Sequence, residues 1–223
     1  MIYKSIFIDL DDTLWDTYHN NKECLEELYT DYHFNRYYAS FEAFFDIYMP
    51  HNLDLWAKYR SGEIDRQTLI LDRFLYVLRP LGIEDKKTVL SVNNDFLQRT
   101  TTKTRLVPGA IELLEYLRPS YRLFILSNGF REVQFKKLSN AGLAPYFERM
   151  ILSEDANIQK PHKGIFDFAL KNTNSRRSES LMIGIAGKLI SLGLPIQDRP
   201  DMVESGRITC RRLHPNLYSP LLG

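Results

Sequence analysis

Two aspartates, Asp9 and Asp11, stand one residue apart at the end of the apolar run 2–10. Aspartate is frequent in turns, where its carboxylate caps nearby backbone amides. The same pair can also do chemistry. Asp9 would attack phosphorus and form an aspartyl phosphate, dividing one hard displacement into two easier ones. Asp11 would protonate the leaving oxygen, then deprotonate the water that opens the intermediate. Two carboxylates repel an anionic phosphate, so a hard divalent cation is called for, and magnesium on Asp9 and Asp11 suits that role. Ser127-Asn128-Gly129 closes a second apolar run just before a helical pattern opens at Phe130. A hydroxyl, an amide and the free N–H groups of a helix start make a phosphate-binding site, although such residues also serve as an ordinary helix cap. Lys160-Pro161 follows a third run. A loop lysine is commonly a solvated charge. Here Pro161 holds the chain extended as the next helix begins, and Lys160 could neutralise phosphate oxygens and the aspartyl intermediate.

Those clusters fall after short apolar runs at 2–10, 121–126 and 150–152, and a fourth run lies at 181–183. Unbroken, β-rich runs of this length suit strands buried on both faces of a parallel sheet. Helical patterns separate them at 110–117, 130–140 and 163–171. Strand alternating with helix predicts an α/β fold on a doubly wound, Rossmann-like parallel sheet, whose ligands sit at the carboxyl ends of the strands. The stretch 15–102 reads differently. Segments 21–32, 41–49, 53–60, 65–78 and 85–99 all look helical, with Asp65 as an N-cap and Gly62, Pro80 and Gly82 as stops. The simplest architecture places this helical insert between the first and second strands.

Composition narrows the function classes. A chain of 223 residues, 44% hydrophobic and 26% charged, is ordinary globular protein. Its 29 basic and 28 acidic residues leave a formal charge of +1, so there is no basic field for nucleic acid and no polybasic membrane signal. No apolar run approaches the roughly 18–20 residues that span a bilayer, and the N-terminal residues lack a signal-peptide pattern. Two cysteines, Cys24 and Cys210, make neither a disulfide framework nor a zinc site alone, which suits a reducing cytoplasm. The expected partner is a small molecule, and the expected state a monomer or weak homo-oligomer.

In order and context, Asp9-Leu10-Asp11-Asp12-Thr13, Ser127-Asn128 and Lys160-Pro161 resemble the first three motifs of the haloacid dehalogenase-like superfamily of phosphotransferases. The resemblance implies a phosphatase core over 1–14 and 103–184, a small helical cap over 15–102, and magnesium as cofactor. A further set is similar to bacterial pyrimidine 5′-nucleotidases over about residues 1–184: Leu55-Trp56, Tyr59, Gly62, Arg73-Phe74, Pro108-Gly109-Ala110, Phe130, Gln134, Tyr146-Phe147 and Ser153-Glu154. It implies hydrolysis of nucleoside 5′-monophosphates. Trp56 is then the cap residue best suited to stack on a base, although aromatics at such spacing also build helical cores. Relatives with this layout take many phosphate esters, so a sugar-phosphate phosphatase or a phosphomutase is the alternative. Dehalogenases share the nucleophile and the cap but have no leaving alkoxide to protonate, so Asp11 favours phosphoryl transfer.

The resemblance breaks after Gly184. There the family carries a fourth motif, an Asp at once and a second acid a few residues on, and the first of these completes the magnesium shell. Here Gly184 is followed by Ile185-Ala186-Gly187-Lys188, and no acid comes before Asp198. Residues 185–223 also hold a single aromatic, Tyr218, but four of the chain's ten prolines. Loss of one base near codon 184 explains the change. Reading each later codon from the preceding wobble base permits Gly-Asp-Ser-Trp-Glu-Ala-Asp-Ile-Ile-Gly-Ala, which resembles the missing motif. Residues 185–223 are therefore expected to be a frameshifted tail, and the chain carrying it a catalytically impaired relative that lacks a magnesium ligand.

Overall fold

Residues 3–184 and the strand 188–191 are described by the structure, a computed structural model. The four apolar runs form strands β1 (Ser5–Ile8), β2 (Arg122–Ser127), β3 (Arg149–Leu152) and β4 (Ser180–Gly184). They pair in parallel, with β1 between β2 and β4, and β3 outside β2. A further strand, β5 (Lys188–Ser191), lies antiparallel along the outer side of β4. Of the expected tail, residues 185–187 and 192–223 lie outside the described residues.

Between β1 and β2 the chain builds a helical bundle from α1 (Thr17–Asp31), α2 (Phe41–Ser61), α3 (Arg66–Leu78) and α4 (Lys86–Thr102). Each starts on a side-chain cap: Asp16, Ser40, Asp65 and Asp85 accept the N–H of His19, Ala43, Thr68 and Thr88. Gly62, at φ +81°, ends α2 in the left-handed conformation that glycine adopts freely. One expectation is corrected here. The segments 41–49 and 53–60 are a single helix with Pro50 inside it. An internal proline costs about 3 kcal/mol. Burial of Phe41, Phe44, Phe45 and Tyr48 before it, and of Leu55 after it, outweighs that cost. Phe44, Tyr48, Phe74 and Phe96 then make an aromatic core for the bundle, separate from the sheet.

The sheet is covered on both faces. Helices α5 (Ala110–Leu117) and α6 (Arg131–Asn140) lie on one side; the short α7 (Ser153–Ala156) follows β3, and α8 (Lys163–Asn172) lies on the other side. Along β1, Ile6 and Ile8 pack with Leu114, Leu117 and Leu138, whereas Phe7 packs with Ile165, Ala169 and Leu170. This alternation is why β1 reads as an unbroken apolar run. The bundle joins the sheet at two paired segments. The Asp16 N–H donates to the Arg105 carbonyl at 3.0 Å, and the Val107 N–H to the Leu14 carbonyl at 2.9 Å. Trp15, fully buried between them, donates its indole N–H to the Lys103 carbonyl at 3.1 Å.

Candidate active site

Where β1 stops, its last hydrogen bond to β4 runs from the Asp9 N–H to the Ile183 carbonyl at 2.9 Å. The chain then turns sharply, the Leu10 carbonyl accepting the N–H groups of Leu14 and Trp15, each at 3.0 Å. Asp12 sits in this turn at φ +56°, a left-handed conformation that Asp tolerates better than most residues. The turn brings Asp9 and Asp11 to the carboxyl edge of the sheet, beside the end of β2. Ser127, the last residue of β2, is there, and Lys160 reaches in from the loop before α8.

Four of the predicted residues converge as a set. Lys160 Nζ is 2.8 Å from Asp9 Oδ1 and donates to the Leu126 carbonyl at 2.7 Å. Ser127 Oγ accepts two hydrogen bonds, from the Gly129 N–H at 3.1 Å and from Gln134 Nε2 at 2.8 Å, so its own proton is spent on neither. Asn128 does a different job. Its amide is clamped to the Lys160 backbone, accepting the N–H at 2.8 Å and donating to the carbonyl at 3.0 Å, and so splints the two loops together. The helix start at Arg131 is also partly occupied, because its N–H donates to Glu154 Oε2 at 2.7 Å. Trp56 is half-buried over this loop, tilted on Phe130 at 5.4 Å between centroids and edge-on to Tyr59.

Helix α6 supplies two groups to Asp11. Gln134 Nε2 donates to Asp11 Oδ2, and Lys137 Nζ lies 2.8 Å from Asp11 Oδ1. The lysine is buried, with its ammonium 3.8 Å from the centre of the Trp15 ring. The sequence reading missed Lys137. A signal existed: Phe130, Gln134, Lys137 and Leu138 share one face of α6, and a lysine in a buried stripe needs a partner. Gly129 makes the arrangement possible, because a Cβ there would fall 2.0 Å from Gln134 Nε2.

The two carboxyls are tuned in opposite directions. Burial pushes Asp9 up, and the Lys160 ammonium only partly offsets it. Burial would raise Asp11 as well, but the charge and hydrogen bond of Lys137, with help from Gln134 and Lys160, hold it below the usual range. Asp11 therefore stands as a carboxylate. As a magnesium site the set is incomplete. Both Asp11 carboxylate oxygens are engaged, Asp9 Oδ1 carries Lys160 and the Leu10 N–H, and of these four oxygens Asp9 Oδ2 alone has no partner among the described residues. Among the described residues no group of three His, Cys, Asp or Glu side chains could hold a metal ion. The described residues by themselves do not fit a resident magnesium.

Fold and sequence together define a hydrolase. The family model for haloacid dehalogenase-like hydrolases matches residues 3–184, and the chain belongs to that family. It is 32% identical to the pyrimidine 5′-nucleotidase YjjG of Escherichia coli over 190 residues, 84% of this chain and 80% of that one. To the glyceraldehyde 3-phosphate phosphatase of Pyrococcus furiosus it is 31% identical over 183 residues, 81% of this chain and 72% of the relative. The crystal structure of the HAD-hydrolase YfnB of Bacillus subtilis, bound to magnesium, superposes with a TM-score of 0.75 at 25% identity, covering 91% of this chain and 92% of that one. Among the described residues no helix is long and apolar enough to cross a membrane.

Proposed function

We propose that the chain hydrolyses phosphomonoesters at Asp9, with nucleoside 5′-monophosphates as the substrate class. The observation that carries this is the convergence of Asp9, Lys160 and the Ser127 hydroxyl at one edge of the sheet. Asp9 Oδ2 attacks phosphorus and the ester oxygen leaves as the alcohol, with a proton that Asp11 passes to it from the monoanionic phosphate, giving an aspartyl phosphate. Water then attacks the same phosphorus, Asp11 accepts its proton, and inorganic phosphate departs with the Asp9 carboxylate restored. Lys160 and Ser127 neutralise charge on the phosphoryl oxygens. Magnesium, expected for this chemistry, finds too few donors among the described residues, and none of these steps is routed through it.

Similarity to the nucleotidase supports a nucleotide, and Trp56, beside Phe130 over the phosphate loop, is the proposed base contact. In this reading the helical bundle, 15–102, is the cap that closes over the leaving group on the core 1–14 and 103–184. Similarity to the glyceraldehyde 3-phosphate phosphatase supports a second reading, a sugar-phosphate substrate. A phosphate-release screen over nucleotides and sugar phosphates decides between them. In that screen Trp56→Ala should alter preference among nucleotides more than activity on a small aryl phosphate, and equal losses on both would count against base contact.

Residues 185–223 are, in the same account, the product of a one-base slip after codon 184. The sequence supports it by the absence of any acid between Gly184 and Asp198. Sequencing across that codon, with the intact mass of the purified protein, tests it.

A further inference from the structure

The charges of the site balance without a metal. Asp9 is paired with Lys160 and Asp11 with Lys137, each at 2.8 Å. Lys137 is not a surface cation that happens to reach inward. Its side chain is 7% exposed and its ammonium is held between a carboxylate and the Trp15 ring. Among the described residues, a magnesium ion entering here would meet two ammonium groups and one unengaged carboxylate oxygen, Asp9 Oδ2. It demands near-octahedral oxygen ligation and gives up its waters reluctantly. Directly after Gly184, where the family's fourth motif carries its acid, the sequence has Ile185.

We infer that this chain receives a tetrahedral oxyanion on lysine charge, Lys160 directly and Lys137 by cancelling Asp11, with no resident divalent cation. The inference rests on the phosphate-site reading above. Lys160 would bind the anion; Lys137 is a positioning residue that keeps the second carboxylate from repelling it.

Calorimetric titration of the full chain, stripped with chelator, tests this with two probes, inorganic phosphate and magnesium chloride alone. Phosphate is expected to saturate in chelator, with a dissociation constant that changes by less than about threefold when magnesium is supplied at about 10 mM. Magnesium alone is expected to give no saturable heat. Lys160→Met should weaken phosphate by at least about tenfold, and Lys160→Arg, which keeps the charge, by far less. Lys137→Met should weaken phosphate while leaving the far-ultraviolet circular dichroism unchanged. Saturable magnesium binding that Asp9→Asn abolishes would overturn the inference, as would phosphate binding that requires magnesium. Either of those leaves the phosphate reading standing. No phosphate binding in either condition removes both.

Discussion

At the scale of single residues, the site depends on a small absence. Gly129 has no side chain where Gln134 passes, and that passage links Ser127 to Asp11. Gly129→Ala must displace the Gln134 amide. Displacements of this size cost up to about 10²-fold in rate, so steady-state turnover of an aryl phosphate should fall by that order while melting temperature changes little. The Asp11–Lys137 pair makes a prediction with a sign. With its folded pKa lowered, Asp11 contributes stability that is present above the unfolded value of 3.8 and lost as pH falls through the lower folded one. Lys137→Met leaves burial, the largest influence, to raise that pKa. The variant then carries a buried charge at neutral pH, and protonation relieves it. The melting-temperature gap between wild type and Lys137→Met should be widest near pH 7 and narrow towards pH 4; a gap flat with pH would contradict the pair's role. Asp9, Asp11 and Ser127 stood out because they close apolar runs at strand ends, and Lys160 because it stands on the loop between a third run and the next helix. Lys137 did not, because it lies within a helix and its partner is 126 residues away.

At the scale of elements, the contact between bundle and sheet turns on Phe130. It is buried against Leu55, Leu69 and Val133, with Trp56 and Tyr59 beside it. Arg66 spans the same contact, its guanidinium 4.4 Å from the Phe130 ring centre and paired with Glu132 and Glu154. Size decides between them. Emptying a buried Phe costs about 3–5 kcal/mol, while exposed ion pairs contribute about 0–1 each. Phe130→Ala should lower the melting temperature by about 10 °C, and Arg66→Ala by about 2 °C or less. Scanning calorimetry checks the order, and an equal loss in both would contradict the apolar account. The helices were readable from their caps and stops, Asp65 and Gly62 in particular. Pro50 misled the reading, because local chemistry argues for a break and only the tertiary burial of Phe44, Phe45, Tyr48 and Leu55 keeps the helix whole.

For the whole molecule, the sequence carried the parallel sheet and the placement of the helical stretch, since strand ends, turns and helix starts agreed with one another. What it could not carry was the charge pairing inside the site, which depends on where α6 packs. The same scale holds the proposal that joins site to sequence: Asp9 would be the nucleophile of a phosphatase whose fourth motif was lost after Gly184. The direct measurement is phosphate release from p-nitrophenyl phosphate and a panel of nucleoside 5′-monophosphates, by the chain as it stands, by a version with the frame restored after codon 184, and by Asp9→Asn in both. Losing one charge-stabilising group costs about 10²–10³ in rate, so the restored chain should exceed the present one by that order. Asp9→Asn should remove hydrolysis from both. An Asp9→Asn variant that hydrolyses within about threefold of its parent would contradict the nucleophile, and with it the account.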